Sequence, residues 1–285
     1  MLRIVMDSAG DLPKEWIEKY EIDIIPINVH MGEEVFLENV DISIDQFYKW
    51  VNETGEVPKT SQPTPQQYIQ FYRGIAEPGD VILSIHLTSK LSGTYESAVL
   101  ATRELEGESY EIYPFDTLAG TAIQGFMCRE ARLMDRKGMK IDQILKRLEL
   151  IRKGTEVIFT VDNLEFAQKS GRVNMLETIL ASMLKIKPII TLKEGTLAVA
   201  DKVRTRKASL EFILKEMAER MGGKTINAAI IHAHDLKTAL EISEHVDELL
   251  NIKDIFIEEL SIAIATHLGP GTVGIVAYPV EEGIN

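Results

Sequence analysis

The stretch VILSIHLTSKLSGTYESAVLATREL, Val81–Leu105, decides the fold. It opens on a short run, Val81–Ile85, apolar but for Ser84. Such a run offers no polar face to water, so as a strand it must be covered on both sides. It closes on Thr94–Leu105, where apolar residues recur at helical spacing. Between them lies a polar loop, Thr88-Ser89-Lys90-Leu91-Ser92-Gly93-Thr94. Strand, loop and amphipathic helix in that order are half of a βαβ unit, the element of parallel sheets.

The same alternation runs along the chain. Further strand-like runs are Leu2–Met6, Ile22–Val29, Tyr110–Phe115, Glu156–Val161, Ile186–Thr191, Ile226–Ile231, Ile255–Leu260 and Val273–Tyr278. Helical stretches are Thr64–Ala76, Ala122–Lys137, Ile141–Lys153, Ala208–Met221 and Thr238–Leu250. The expected fold class is α/β, built as two α/β domains. Residues 1–154 are expected to hold a mostly parallel sheet flanked by helices, and residues 155–285 a mixed sheet with helices. The boundary falls at Gly154, which reads as the C-cap of the helix before it. Two pairs of runs look antiparallel. Ile22–Val29 and Glu34–Val40 flank a turn at Met31-Gly32, and Ile189–Leu192 and Leu197–Arg204 flank Glu194-Gly195. Both read as hairpins.

The chain has 285 residues, 45% hydrophobic and 26% charged, enough to bury a large core and still enclose a ligand. Its net charge of −13 works against nucleic-acid binding, which relies on Lys and Arg meeting phosphates. It also works against a basic membrane-surface patch. An anionic ligand must then be met by local donors. The single cysteine, Cys128, lies in an apolar helical stretch and reads as a buried, inert thiol. No Cys/His spacing indicates a metal. No secretory leader is evident and no apolar run approaches the ~20 residues of a membrane span. The expected location is cytoplasmic, without stable membrane insertion.

Several polar loops stand out: Asp7–Asp11, Lys59–Pro63, Thr88–Thr94, Asp116-Thr117, Ser170–Arg172 and His267–Gly271. Singly, each has a structural explanation as a helix cap or a turn. As a set they place hydroxyls and backbone N–H groups near helix starts, which is the chemistry of an anion site. Neither a P-loop nor a dinucleotide-binding glycine motif follows a strand, so no cofactor is expected.

Read together, DSAGDLP (Asp7–Pro13), KTSQPTP (Lys59–Pro65), SKLSGTYESA (Ser89–Ala98), DNLEFAQKSGRV (Asp162–Val173), KIKPII (Lys185–Ile190) and HLGPGTVG (His267–Gly274) resemble the DegV family of bacterial fatty-acid-binding proteins. The motifs occur in family order and span nearly the whole chain. The resemblance implies two α/β domains with a fatty acid between them. It further implies a carrier, not an enzyme, that presents the acyl carboxylate to a separate ATP-dependent fatty acid kinase for acyl-phosphate formation in phospholipid synthesis. By resemblance, Thr60 and Ser92 match the family's carboxylate-binding residues, with Ser61 and Gly93 beside them. His267 matches a histidine that closes the head-group site. Arg172 matches an arginine at the mouth or on the kinase-facing side. Lys185, Ser170 and Asp116-Thr117 depart from the usual family residues, and none of these departures falls on Thr60 or Ser92.

The chemistry of a fatty acid fits. Each buried CH₂ contributes about 0.8 kcal/mol, so a sixteen-carbon chain supplies on the order of 10 kcal/mol before ordering costs. Phe126, Met127 and Met134 on one helix, and Leu176, Ile179, Leu180 and Met183 on another, are candidate lining; each is equally at home in an ordinary core. A buried carboxylate must be hydrogen-bonded or protonated, and hydroxyls with loop N–H groups can serve it without a buried cation. Three other functions remain open. A serine hydrolase could use Ser92, His267 and Asp116, although Ser92 lacks the GxSxG context of a nucleophile elbow. A kinase acting alone lacks a nucleotide motif. An interaction protein could use the basic stretch Lys202–Lys207, which reads equally as a solvated strand-to-helix junction.

Overall fold

A computed structural model describes residues 1–109, 111–170 and 186–280. Strand β1 (Leu2–Asp7) is followed by α1 (Lys14–Lys19), β2 (Ile22–Ile25), β3 (Asn28–Met31), β4 (Glu34–Leu37), α2 (Ile44–Thr54), β5 (Lys59–Ser61), α3 (Pro65–Ile75), β6 (Val81–His86), α4 (Thr94–Glu104), β7 (Glu111–Asp116), α5 (Ala122–Arg136) and α6 (Ile141–Gly154). There follow β8 (Glu156–Thr160), α7 (Glu165–Lys169), β9 (Lys187–Lys193), β10 (Thr196–Val203), α8 (Arg206–Met221), β11 (Thr225–His232), α9 (Leu236–Leu249), β12 (Asn251–Glu259), α10 (Ile262–Leu268) and β13 (Val273–Pro279). The chain divides into two compact units. The first is Met1–Leu150 with Ser261–Ile264; the second is Ile151–Leu260 and the residues from Ala265.

In the first unit the sheet order is β2-β1-β6-β7, all parallel. The apolar run Val81–Ile85 lies inside this sheet, as its lack of a polar face requires. Tyr68, Ile69 and Tyr72 of α3 and Ala98, Ala101 and Leu105 around α4 pack with Val5 and Ile82. Neighbouring strand residues point to the opposite face, and α5 packs across β1 and β6. Cys128 is fully buried, and burial pushes its thiol well up from the ordinary value, as an inert thiol requires. Phe126 packs edge-on against Trp16, 6.1 Å between ring centroids. Met127 and Met134 are likewise buried on α5.

A small antiparallel sheet, β4-β3-β5, completes the first unit. It corrects two expectations. The run Ile22–Val29 is not one strand. It breaks at Pro26-Ile27, so that β2 joins the parallel sheet and β3 the hairpin with β4. Pro26 lacks the N–H that a continuing ladder would use. Lys59–Ser61 is not a loop but a short edge strand paired with β3.

In the second unit the order is β10-β9-β8-β13-β11-β12, a mixed sheet in which β11 and β12 are parallel and the other pairs antiparallel. The β9–β10 hairpin turns at Glu194 and Gly195, both at positive φ (50° and 83°), the twist that matches two flanking strands. Ile213, Leu214 and Met217 of α8 and Ala239, Ile242 and Val246 of α9 pack on this sheet with Ile158, Ile230 and Ile275.

Candidate anion-binding site

Thr60 and Ser61 are held by β5, whose register places Thr60 opposite Val29 and Ser61 opposite Asn28. Pro63 ends the strand. Thr64 then caps α3 with a capping box to Gln67, and Pro65 takes the first helical turn. The strand is braced from the side. Asn28 Nδ2 donates to the carbonyls of Ser61 (3.4 Å) and Gln62 (3.2 Å), and Gln67 Nε2 donates to Asn28 Oδ1 at 3.2 Å. Ser61 Oγ lies 2.8 Å from His30 Nε2. His30 had no motif to mark it in the sequence; only the β3–β5 pairing brings it to Ser61.

The loop after β6 carries Ser92 and Gly93. Its turn closes through N–H donation from Leu91 and Ser92 to the carbonyl of Thr88, at 3.2 and 3.3 Å. Ser92 Oγ is 2.7 Å from Thr94 Oγ1 and accepts the Thr94 N–H at 3.3 Å. Gly93 is the N-cap of α4. A Cβ on Gly93 would sit 2.8 Å from Gln62 Nε2, so the β5 end and the β6 loop meet at this glycine. The absence of a side chain permits that approach. Asp116 Oδ1 accepts N–H groups of Ser89 (3.3 Å) and Leu118 (2.9 Å), tying the next strand end to the same loop.

Beneath the loop is a buried polar network. Asp7 Oδ2 accepts the Leu87 N–H at 3.0 Å and lies 3.1 Å from His86 Nδ1. Asp7 Oδ1 accepts the Ala9 N–H. The Ser84 hydroxyl is 2.8 Å from His86 Nε2, and Tyr72 donates to Ser84 Oγ at 2.8 Å. Asp7 thus ties the end of β1 to the end of β6, where the Ser92 loop begins.

In the second unit, His267 lies in the last turn of α10 and is half-buried. The Gly269–Gly271 turn behind it is fixed by contact. Gly269 (φ +76°) and Gly271 (φ +79°) are left-handed, and a Cβ at either would meet Phe166 at 2.6 Å or Asp162 at 2.9 Å. Thr272 Oγ1 donates to the carbonyls of Leu268 (3.1 Å) and Gly269 (2.9 Å). Arg172, Leu176, Ile179, Leu180, Met183 and Lys185 lie outside the described residues. Among the described residues no group of His, Cys, Asp and Glu is arranged to hold a metal ion, and no helix is long and apolar enough to cross a membrane.

The arrangement supplies hydroxyls, a helix N-terminus and a glycine-lined approach, which suits a small anionic group. The family model described as "Uncharacterised protein, DegV family" matches residues 1–280. The chain belongs to the DegV family. Among its DegV relatives, a fatty acid-binding protein of Thermotoga maritima is 34% identical over 279 residues, covering 96% of each chain. Protein DegV of Bacillus subtilis is 32% identical over 276 residues, 96% of this chain and 98% of the relative. Two solved structures share the fold. One, described as showing fatty acid binding of a DegV family protein from Thermus thermophilus, superposes with a TM-score of 0.91 at 32% identity, over 98% of this chain and 99% of that one. The other, a stearic acid-binding protein from Eubacterium ventriosum, gives 0.86 at 25% identity over 98% of both chains.

Proposed function

We propose that this DegV protein binds a long-chain fatty acid and holds its carboxylate with the hydroxyls of Thr60, Ser61 and Ser92, the N–H of Gly93 and the imidazole of His267. The observation that carries this reading is the meeting of the β5 end and the Ser92 loop at Gly93, in a family whose relatives bind fatty acids. The hydroxyls serve as hydrogen-bond donors to the carboxylate, and the start of α4 adds its positive dipole end. The protein is a cytoplasmic carrier, not an enzyme. It needs no cofactor and presents the carboxylate to a separate ATP-dependent kinase. Ser92 Oγ contacts the hydroxyl and N–H of Thr94, the pattern of a helix-start hydroxyl. This favours binding over hydrolysis of acyl esters by Ser92 and His267.

Arg172 and the basic stretch Lys202–Lys207 are the proposed kinase-facing residues. Within that stretch Arg206 pairs with Asp235 at 2.8 Å, while Lys202, Arg204 and Lys207 are exposed. Charge reversal at Arg204 and Arg206 is expected to slow acyl phosphorylation by a fatty acid kinase without changing lipid binding.

Mass spectrometry of lipid extracted from the purified protein tests the main reading. A fatty acid is expected. Recovery of none, together with no binding of added palmitate, would falsify it. The combined Thr60→Ala and Ser92→Ala variant is expected to weaken palmitate binding by at least an order of magnitude, since each hydrogen bond to a charged group contributes about 1.5–3 kcal/mol. Unchanged affinity would move the head-group site elsewhere.

A further inference from the structure

The Ser61 side chain is met from the neighbouring strand. His30 on β3 places its Nε2 2.8 Å from Ser61 Oγ. The contact follows from the register, in which Asn28 stands opposite Ser61 and His30 opposite Lys59. Residues two apart on a strand share a face, so Asn28 and His30 lie on the Ser61 side of the small sheet. They hold Ser61 at two points, Asn28 Nδ2 on its carbonyl and His30 on its hydroxyl. Thr60 stands on the other face, with Val29. Because β5 is an edge strand, hydroxyls on both faces border its open side. His30, Thr60, Ser61, Ser92 and Gly93 all belong to the first unit.

A hydroxyl has one hydrogen and two acceptor lone pairs, whereas a carboxylate only accepts. Ser61 therefore serves a carboxylate only by donating its single hydrogen to it. That hydrogen is then not available to His30, and the 2.8 Å contact must run from Nε2–H to Ser61 Oγ. In a neutral imidazole this selects the tautomer with the proton on Nε2 and Nδ1 bare. The opposite tautomer makes Ser61 a donor to the ring and turns only oxygen lone pairs toward an anion. Donation in one direction along a chain also polarises it, so the Nε2–H bond makes the hydroxyl a stronger donor. Ser92 is backed in the same way, since its Oγ accepts the Thr94 N–H at 3.3 Å.

We propose that His30 is a positioning residue, whose Nε2–H donates to Ser61 Oγ and so directs the Ser61 hydrogen at the fatty-acid carboxylate. This rests on the assignment of Ser61 to the carboxylate site.

NMR of the full-length protein carrying isotope-labelled histidine tests it, recorded at about pH 8, above the ordinary histidine range. The palmitate-loaded wild type is expected to show His30 with Nε2 protonated and Nδ1 bare. A bare Nε2 in the loaded protein overturns the proposal. Palmitate affinity by calorimetry gives a second readout. His30→Phe is expected to weaken palmitate on the order of fivefold. His30→Gln, whose amide donates from about the place of Nε2, is expected to stay within about twofold of the wild type. In a Ser61→Ala background, His30→Phe should have no further effect. Equal losses in both backgrounds overturn the proposal, because His30 would then act by packing and not through Ser61. If the phenylalanine variant does not fold, the wild-type ring signals decide alone. A wild type that binds no palmitate sinks the carrier reading and this proposal with it, whereas palmitate bound beside a bare Nε2 sinks this proposal only.

Discussion

His86 Nδ1 sits 3.1 Å from Asp7 Oδ2, with both side chains fully buried. On the other side of the ring, Nε2 faces Ser84 Oγ at 2.8 Å. Ser84, His86 and Asp7 thus have the connectivity of a catalytic triad, yet all three are sealed from water and Ser84 Oγ already accepts from Tyr72. The network acts as a brace between β1 and β6. Leaving a buried hydrogen-bonding group without its partner costs about 1–3 kcal/mol. Asp7→Asn is therefore expected to lower the unfolding free energy by about that amount in urea titration. A loss below about 1 kcal/mol, the size of an ordinary surface change, would show that the brace is dispensable.

Gly93 is needed for closeness and not for its backbone angle, since its φ of −79° is open to any residue. Alanine there meets the far end of the Gln62 side chain at 2.8 Å, which moves at little energetic cost. Gly93→Ala is expected to leave stability within about 1 kcal/mol. It should weaken fatty-acid binding several-fold by displacing Gln62 and crowding the loop. Adding Gln62→Ala removes the clash, so the double variant should recover part of the lost affinity. Strictly additive losses in this cycle would place Gln62 and Gly93 out of contact during binding.

Stability should depend on pH through Glu38. Its carboxyl is raised from 4.5 to about 7 in the folded chain by burial. A raised carboxyl contributes stability that is fully present below the unfolded value and is lost as pH rises through the folded one. The window is therefore about pH 4.5 to 7, and the total is on the order of 3 kcal/mol. Chemical denaturation of the wild type should show stability declining from pH 5 to 8 in excess of Glu38→Gln. Parallel curves for the two proteins would exclude Glu38 as the source.

Thr121 carries backbone strain, with φ 54° and ψ −140° at the N-cap of α5, and its hydroxyl finds no partner among the described residues. For a β-branched residue this is a disfavoured conformation, costing about 1–3 kcal/mol. Thr121→Gly is expected to raise the unfolding free energy by about 1 kcal/mol, the relief of strain exceeding the entropy that glycine adds to the unfolded chain. A lowered melting temperature would mean that the threonine methyl packs usefully and that the strain is offset locally.

Much of this protein is legible in one dimension. The apolar run Val81–Ile85 and the helical spacing of Thr94–Leu105 determine a covered parallel strand and its helix, because strand and helix periods are local properties of the chain. Glu194-Gly195 likewise determines the second hairpin, since a tight turn has few residue choices. The hydroxyls of Thr60, Ser61 and Ser92 are candidates for an anion site by residue type alone, since a hydroxyl can donate to an anion. Tertiary structure alone decided what those residues touch. Pairing of β5 with β3 turned Lys59–Ser61 from a loop into an edge strand and set His30 against Ser61. It decided that Gln62 reaches Gly93, that Asp7 braces His86, and that Glu38 caps a helix 225 residues away. Such contacts join segments whose separation along the chain leaves no periodic trace, and burial selects them only once the layers have packed.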